Sequence, residues 1–174
     1  LKDLEKFNEE IAKEGVPAFG MGLGVNTDTV VVGNMGSVQR FDYTCLGDGV
    51  NLASRLEGQS KPYGVKIVLG PKTAEYVRDE FPLIELDLIA VKGKTEPVRI
   101  YTVAPSDDVM AMNGHEKFLQ AYRKGVWGQA RDLAEDLKEK GWAGEMAKYY
   151  DAMLERMEGQ PPKNWDGVYR ATSK

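Results

Sequence analysis

Apolar positions along this chain recur with two different periods, and the switch between them divides it into parts. Leu4, Phe7 and Ile11 repeat at three- and four-residue intervals among acids, which predicts an amphipathic helix over residues 1–14. Phe19 to Val25 and Thr29 to Val32 read as two strands around the Asn26, Thr27, Asp28 turn, and so as a hairpin. Phe41 to Leu46 reads as the next strand, followed by a helix from Asp48 to about Lys61. Lys66 to Leu69 is a short apolar strand, and Pro71 marks the first turn of a helix through Thr73 to Arg78. Leu83 to Val91 and Val98 to Val103 are the last strands, joined by a loop that holds Lys92 and Lys94. Strands interspersed with helices, hairpins among them, predict an α+β fold.

Beyond Val103 the alternating pattern ends. Pro105 to Asn113 reads as a linker, and three helical sets follow: Phe118, Leu119 and Tyr122; Trp127, Ala130, Leu133, Ala134 and Leu137; Trp142, Met146, Tyr149, Tyr150, Met153 and Met157. Gly125 and Gly141 punctuate them. The expected organisation is therefore residues 1–104, a linker over 105–113, and a helical extension over 114–174. Y-R-K-G-V-W-G-Q-A, from Tyr122, resembles the start of a tetratricopeptide-type helical pair. One such pair cannot bury both its faces, so the extension is expected to pack on the preceding sheet or on a partner protein. Trp165, in the Pro-rich tail, is a candidate anchor for that tail.

Composition narrows the function classes. The 174 residues carry 23 basic and 27 acidic side chains, net −4, which argues against nucleic acid as the main partner. One cysteine excludes an internal disulfide, and the single histidine, His115, excludes a His-rich zinc site. No apolar run approaches the ~20 residues that span a bilayer, and the expected location is the cytoplasm, with a membrane anchor in the parent protein left open. The Gly20, Gly22, Gly24 series lacks the G-x-G-x-x-G spacing and does not enter a helix, so it is not read as a dinucleotide site.

The densest chemistry lies between Asp42 and Arg55, D-Y-T-C-L-G-D-G-V-N-L-A-S-R, a strand running through a Gly-Asp turn into a helix. Asp48 is expected as N-cap, with Gly47 and Gly49 letting the chain turn. Asn51 and Arg55 are four residues apart and share one helical face, opposite Leu52, Ala53 and Leu56. An amide and a guanidinium near the positive end of a helix dipole suit an anionic ligand. Cys45 is read as a small, buried strand residue.

The run from Gly33 to Glu57, GNMGSVQRFDYTCLGDGVNLASRLE, closely resembles the class III nucleotidyl cyclases, the family of bacterial and animal adenylate and guanylate cyclases. The likeness continues through Lys61 to Leu69 and into V-K-G-K-T-E-P-V-R-I-Y-T-V at Val91 to Val103. It implies a ferredoxin-like nucleotidyl cyclase fold, here truncated on its N-terminal side and followed by the tetratricopeptide-like extension. It also implies roles. Asn51 orients the ribose, and Arg55 stabilises charge on the α-phosphate as the 3′-oxygen attacks. Lys92 contacts the terminal phosphates with Lys94 assisting, and Thr44, seven residues before Asn51, reads the purine. A Thr hydroxyl that accepts from an amino group or donates to a ring nitrogen favours adenine.

The chain also departs from that family. Catalytic cyclase domains carry F-x-D-[IL]-x-G-F and then a G-D hairpin, whose aspartates hold two divalent metals, Mg²⁺ or Mn²⁺; neither motif occurs here. No metal ligand is therefore assigned: Asp42 and Asp48, without the missing pair, make a poor Mg²⁺ cage. The chain opens on Leu1, and it is expected to be a piece that begins about midway through a catalytic domain and is inactive alone. Two functions follow. One is half of an adenylate cyclase site, converting ATP to cyclic AMP and pyrophosphate with a second cyclase subunit, a homodimer being expected in the parent. The other is a non-catalytic regulatory module whose helical extension binds a protein near Trp127 and Trp142.

Overall fold

The computed structural model describes residues 2–37, 40–91 and 96–170. Helix α1 (Lys2–Ala12) presents the predicted stripe: Phe7 and Phe19 rings lie 6.0 Å apart, the Asn8 amide bonds both backbone groups of Phe19, and Glu5 pairs with Lys66 at 3.0 Å. Strand β1 (Leu23–Val25) follows, then β2 (Val31–Ser37), β3 (Arg40–Leu46), helix α2 (Asp48–Gln59), β4 (Ile67–Leu69), α3 (Pro71–Val77), β5 (Leu83–Ile89) and β6 (Val98–Val103). The α+β class holds, with two sheets among the described residues. One has the order β1-β4-β6-β5; the other is the antiparallel β2–β3 ribbon.

The expected hairpin between the first two strands is not formed. β1 pairs with β4, in parallel, while β2 pairs, among the described residues, only with β3, with Gly33 opposite Thr44. The glycines explain the difference. A Cβ on Gly24 would lie 2.2 Å from both the Ala53 carbonyl oxygen and the Glu57 nitrogen, and one on Gly22 would lie 2.0 Å from the Ser60 hydroxyl. The missing side chains let α2 lie directly on β1, and the chain must leave that strand to build the ribbon before returning as α2. Residues 19–22 precede the strand, not within it as expected. Cys45, expected to be buried, is exposed, because β3 sits in a ribbon that no second layer covers among the described residues.

β5 departs from its sequence pattern at one residue. In L-I-E-L-D-L-I the alternation sets Asp87 on the polar face with Glu85, but the register against β6 shifts between those two residues. That irregularity turns Asp87 to the inner face, where it is fully buried beside fully buried Leu86.

The remainder is a helical layer: α4 (Val109–Arg123), α5 (Trp127–Lys140) and α6 (Ala147–Arg156). α4 starts inside the segment read as a linker, because the Asp108 carboxylate accepts from the Met110 and Ala111 amides and caps it. The layer packs on the sheet, one of the two arrangements expected, and a single core runs from Leu52 and Leu56 of α2 through β5 and β6 to Tyr149 and Met153 of α6. The Tyr149 hydroxyl donates to the Leu86 carbonyl oxygen at 2.8 Å. His115 Nε2 lies 2.7 Å from the Glu85 carbonyl oxygen, which only accepts, so Nε2 carries the proton and Nδ1 accepts from the Tyr150 hydroxyl at 2.9 Å. Burial lowers the His115 pKa to about 4, against a weaker opposing pull from that carbonyl.

Trp165 anchors the tail as expected: its indole N–H reaches the Tyr122 and Arg123 carbonyls, each at 3.1 Å. Tyr169 then continues alongside β5, donating its amide to the Leu88 carbonyl oxygen and accepting from the Ala90 amide, both at 2.9 Å. Among the described residues no helix is long and apolar enough to cross a membrane.

Candidate active site

The strand-to-helix unit that carries Thr44, Asn51 and Arg55 is fixed by backbone geometry. Gly47 holds φ 154° and ψ 164°, a region that costs any side chain strain, and it takes the N-cap position. Asp48 is therefore the first helical residue and not the cap, and no side chain supplies a cap hydrogen bond there. Its carboxylate still lies in the first turn, where the helix dipole favours an acid.

The start of α2 is seated on the Asn26, Thr27, Asp28 turn. The Asn26 amide donates to the Gly49 carbonyl oxygen at 3.1 Å, and a Cβ on Gly49 would lie 2.3 Å from the Asp28 Cβ. The same turn holds α3: Thr27 and Thr73 hydroxyls are 2.9 Å apart, and Lys72 Nζ lies 3.0 Å from Asp28 Oδ1. The sequence reading took these three residues for a hairpin turn and missed their role. The signal available was three short polar side chains in succession before the candidate helix, a pattern able to bond neighbouring backbone.

On α2, Leu52 and Leu56 are buried and Asn51 and Arg55 point away from them, Asn51 exposed and Arg55 half-buried. The structure thus brings the predicted pair together on one face, one turn apart. Among the described residues no hydrogen bond or ion pair engages the Arg55 guanidinium. Thr44 is exposed on β3, three residues before the Gly47 turn. Lys92 and Lys94 lie outside the described residues. The strands on either side, β5 and β6, are in place and paired from Leu83↔Val103 to Ile89↔Val98.

A family profile described as "Adenylate and Guanylate cyclase catalytic domain" matches residues 1–105. The chain belongs to the class III nucleotidyl cyclase family. It is 39% identical over 107 residues to an adenylate cyclase of Anabaena cylindrica, a match covering 58% of this chain and 21% of that protein. It is 37% identical over 100 residues to adenylate cyclase 1 of Rhizobium meliloti, covering 58% of this chain and 15% of that one. A terminal-differentiation specific adenylate cyclase of Dictyostelium discoideum is 33% identical over 144 residues, 81% of this chain and 6% of that protein, so this likeness extends into the helical layer. Among solved structures, the adenylyl cyclase CyaB from P. aeruginosa superposes with a TM-score of 0.55 at 34% identity, covering 62% of this chain and 54% of that one. The chain spans less than a quarter of the length of these three curated relatives.

Class III cyclases are metal-dependent in general, and the residues described here do not fit a divalent ion: among them no three His, Cys, Asp or Glu side chains come together in a group that could hold one. The chain's described chemistry is that of an amide, a guanidinium and a hydroxyl, suited to a sugar, a phosphate and a base edge.

Proposed function

We propose that this chain supplies the ribose- and phosphate-handling side of an adenylate cyclase site. In this reading the 3′-oxygen of ATP attacks the α-phosphorus, the bond to the bridging oxygen breaks, and cyclic AMP and pyrophosphate leave. Asn51 holds the ribose so that the 3′-oxygen is in line, and Arg55 neutralises the charge that builds on the α-phosphate oxygens. Thr44 reads the adenine edge, and Lys92 with Lys94 engages the terminal phosphates. The Mg²⁺ or Mn²⁺ ions belong to aspartates on a second cyclase subunit, and the chain by itself is inactive. The work is cytoplasmic, where ATP is.

The observation that carries this reading is the pairing of Asn51 and Arg55 on the outward face of a helix set rigidly on β1 and on the Asn26 turn. A cation held on a fixed element, and not on a mobile loop, is what electrostatic stabilisation of a transition state requires. The α4–α5 pair is read as one tetratricopeptide-type unit, α4 bearing on β5 and α5 packed against α4 and α6. The alternative, a protein-binding module working through Trp127 and Trp142, is disfavoured because both indoles are buried within this chain.

The test mixes the chain with a cyclase subunit that carries the metal aspartates but lacks its own Asn and Arg. Cyclic AMP formed from ATP only in the mixture is the expected result; a mixture that forms none, or that uses GTP in preference to ATP, overturns the proposal.

A further inference from the structure

Arg156, at the end of α6, lies far along the chain from the candidate site and yet joins the two elements that frame it. Its Nη1 donates to Asp87 Oδ2 on β5 at 2.7 Å and to the Tyr63 hydroxyl at 3.0 Å, and that hydroxyl in turn donates to Asp87 Oδ2 at 2.7 Å. The guanidinium carbon sits 4.6 Å from the Tyr63 ring centre and 3.5 Å from that of Tyr169, so one cation is gripped by two rings. The carboxylate has no exposure at all and the arginine side chain only 12%. The free oxygen of Asp87 accepts from the Leu88 amide at 2.7 Å, which leaves the cluster fully satisfied around the acid.

Each partner leads to the site. Tyr63 follows α2 directly, its amide bonded to the Gln59 carbonyl oxygen at 3.1 Å, so it fixes the far end of the helix that carries Asn51 and Arg55. One residue on, Gly64 adopts φ 64°, and a Cβ there would come within 2.8 to 2.9 Å of Lys148 on α6, so the turn after α2 packs closely on the extension. Asp87 and Tyr169 hold the end of β5 as far as Ala90. The end of α2 and the end of β5 are thus referred to one side chain, and neither a propensity nor an alternation explains why a fully buried acid should sit in β5 otherwise.

We propose that Arg156 is a positioning residue for the cyclase site, the point at which the helical layer and the tail set the C-terminal end of α2 and the end of β5 relative to one another. It touches no substrate and acts through Tyr63, Asp87 and Tyr169. Arg156→Met tests the grip outright, Arg156→Lys keeps the charge but not the planar stacking, and Tyr169→Ala removes one ring from a half-buried position.

Two readouts decide it. The first is hydrogen exchange on the chain alone. In Tyr169→Ala and Arg156→Lys, exchange should rise roughly tenfold together at residues 59–64 and 88–91 while α5 stays protected; a rise confined to the tail overturns the proposal. The second rests on the adenylate cyclase reading and uses the mixed-subunit assay. There Arg156→Met and Tyr169→Ala should lower kcat about tenfold or more with KM for ATP within about twofold, and Arg156→Lys should recover part of the loss. Unchanged kcat in variants whose exchange has risen overturns it. If even the wild-type mixture forms no cyclic nucleotide, the cyclase reading fails while the exchange result still decides the coupling.

Discussion

The helical layer and the β2–β3 ribbon are built from similar aromatic and branched residues and dispose of them in opposite ways. In the layer Phe118, Tyr122, Tyr149 and Tyr150 are completely buried, ring against ring. In the ribbon Tyr43 is 77% exposed, Val31 65% and Phe41 62%. The layer carries its own cover, three helices closing on a four-stranded sheet. The ribbon has one strand partner and no second layer among the described residues, and it is the ribbon that runs into the catalytic candidate. The lesson is that the well-buried part of this chain and its proposed working part meet on α2, whose inner face belongs to the core and whose outer face carries Asn51 and Arg55.

The comparison breaks most readily at Asp87. Asp87→Ala leaves the Arg156 guanidinium buried without its acid, a change that costs about 3–5 kcal/mol, read as a shift of the urea midpoint. A loss below about 1 kcal/mol would mean that the layer does not depend on this ion pair.

The next largest effect is in pH. His115 is held neutral, its pKa lowered by burial to about 4 against about 6.5 in the unfolded chain. Above pH 6.5 neither state binds the proton and the fold keeps its full stability; from 6.5 down to about 4 the unfolded state alone binds it, and stability falls by on the order of 3 kcal/mol. Unfolding free energies for the wild type and His115→Gln across that window should differ in slope, and parallel curves would contradict the assignment.

Trp165→Ala removes a half-buried ring and an N–H shared by two carbonyls, for a loss of about 1–2 kcal/mol in the same urea measurement. Tyr43→Ser, on the ribbon, should change stability by no more than about 0.5 kcal/mol. A Tyr43 variant as damaging as the Trp165 variant would erase the contrast between the two regions.

What could be read in advance follows from how local each cause is. The Asn51 and Arg55 face was legible because four-residue spacing on a helix needs no knowledge of the rest of the fold. Most strands and helices were legible for the same reason, and Trp165 stood out as a large ring in a Pro-rich tail. The partner of β1 was not, because the strand it joins lies more than forty residues on, with the ribbon and α2 between. Gly22 and Gly24 were read only as part of a strand, while their task is to admit α2 and the turn after it, a contact set by Ala53, Glu57 and Ser60. Asp87 was hidden by a single irregularity in β5 that reverses its face, and its ion pair spans 69 residues. The roles of Lys92 and Lys94 rest on family likeness alone.

The central claim is that α2 presents a working half-site, and Arg55 is its sharpest point. The decisive measurement is the rate of cyclic AMP formation in the mixed-subunit assay with wild type and with Arg55→Ala, both confirmed as folded. Removal of a charge that acts on the α-phosphate in the transition state should lower kcat by roughly 10²–10³. Equal rates from the two mixtures would contradict it.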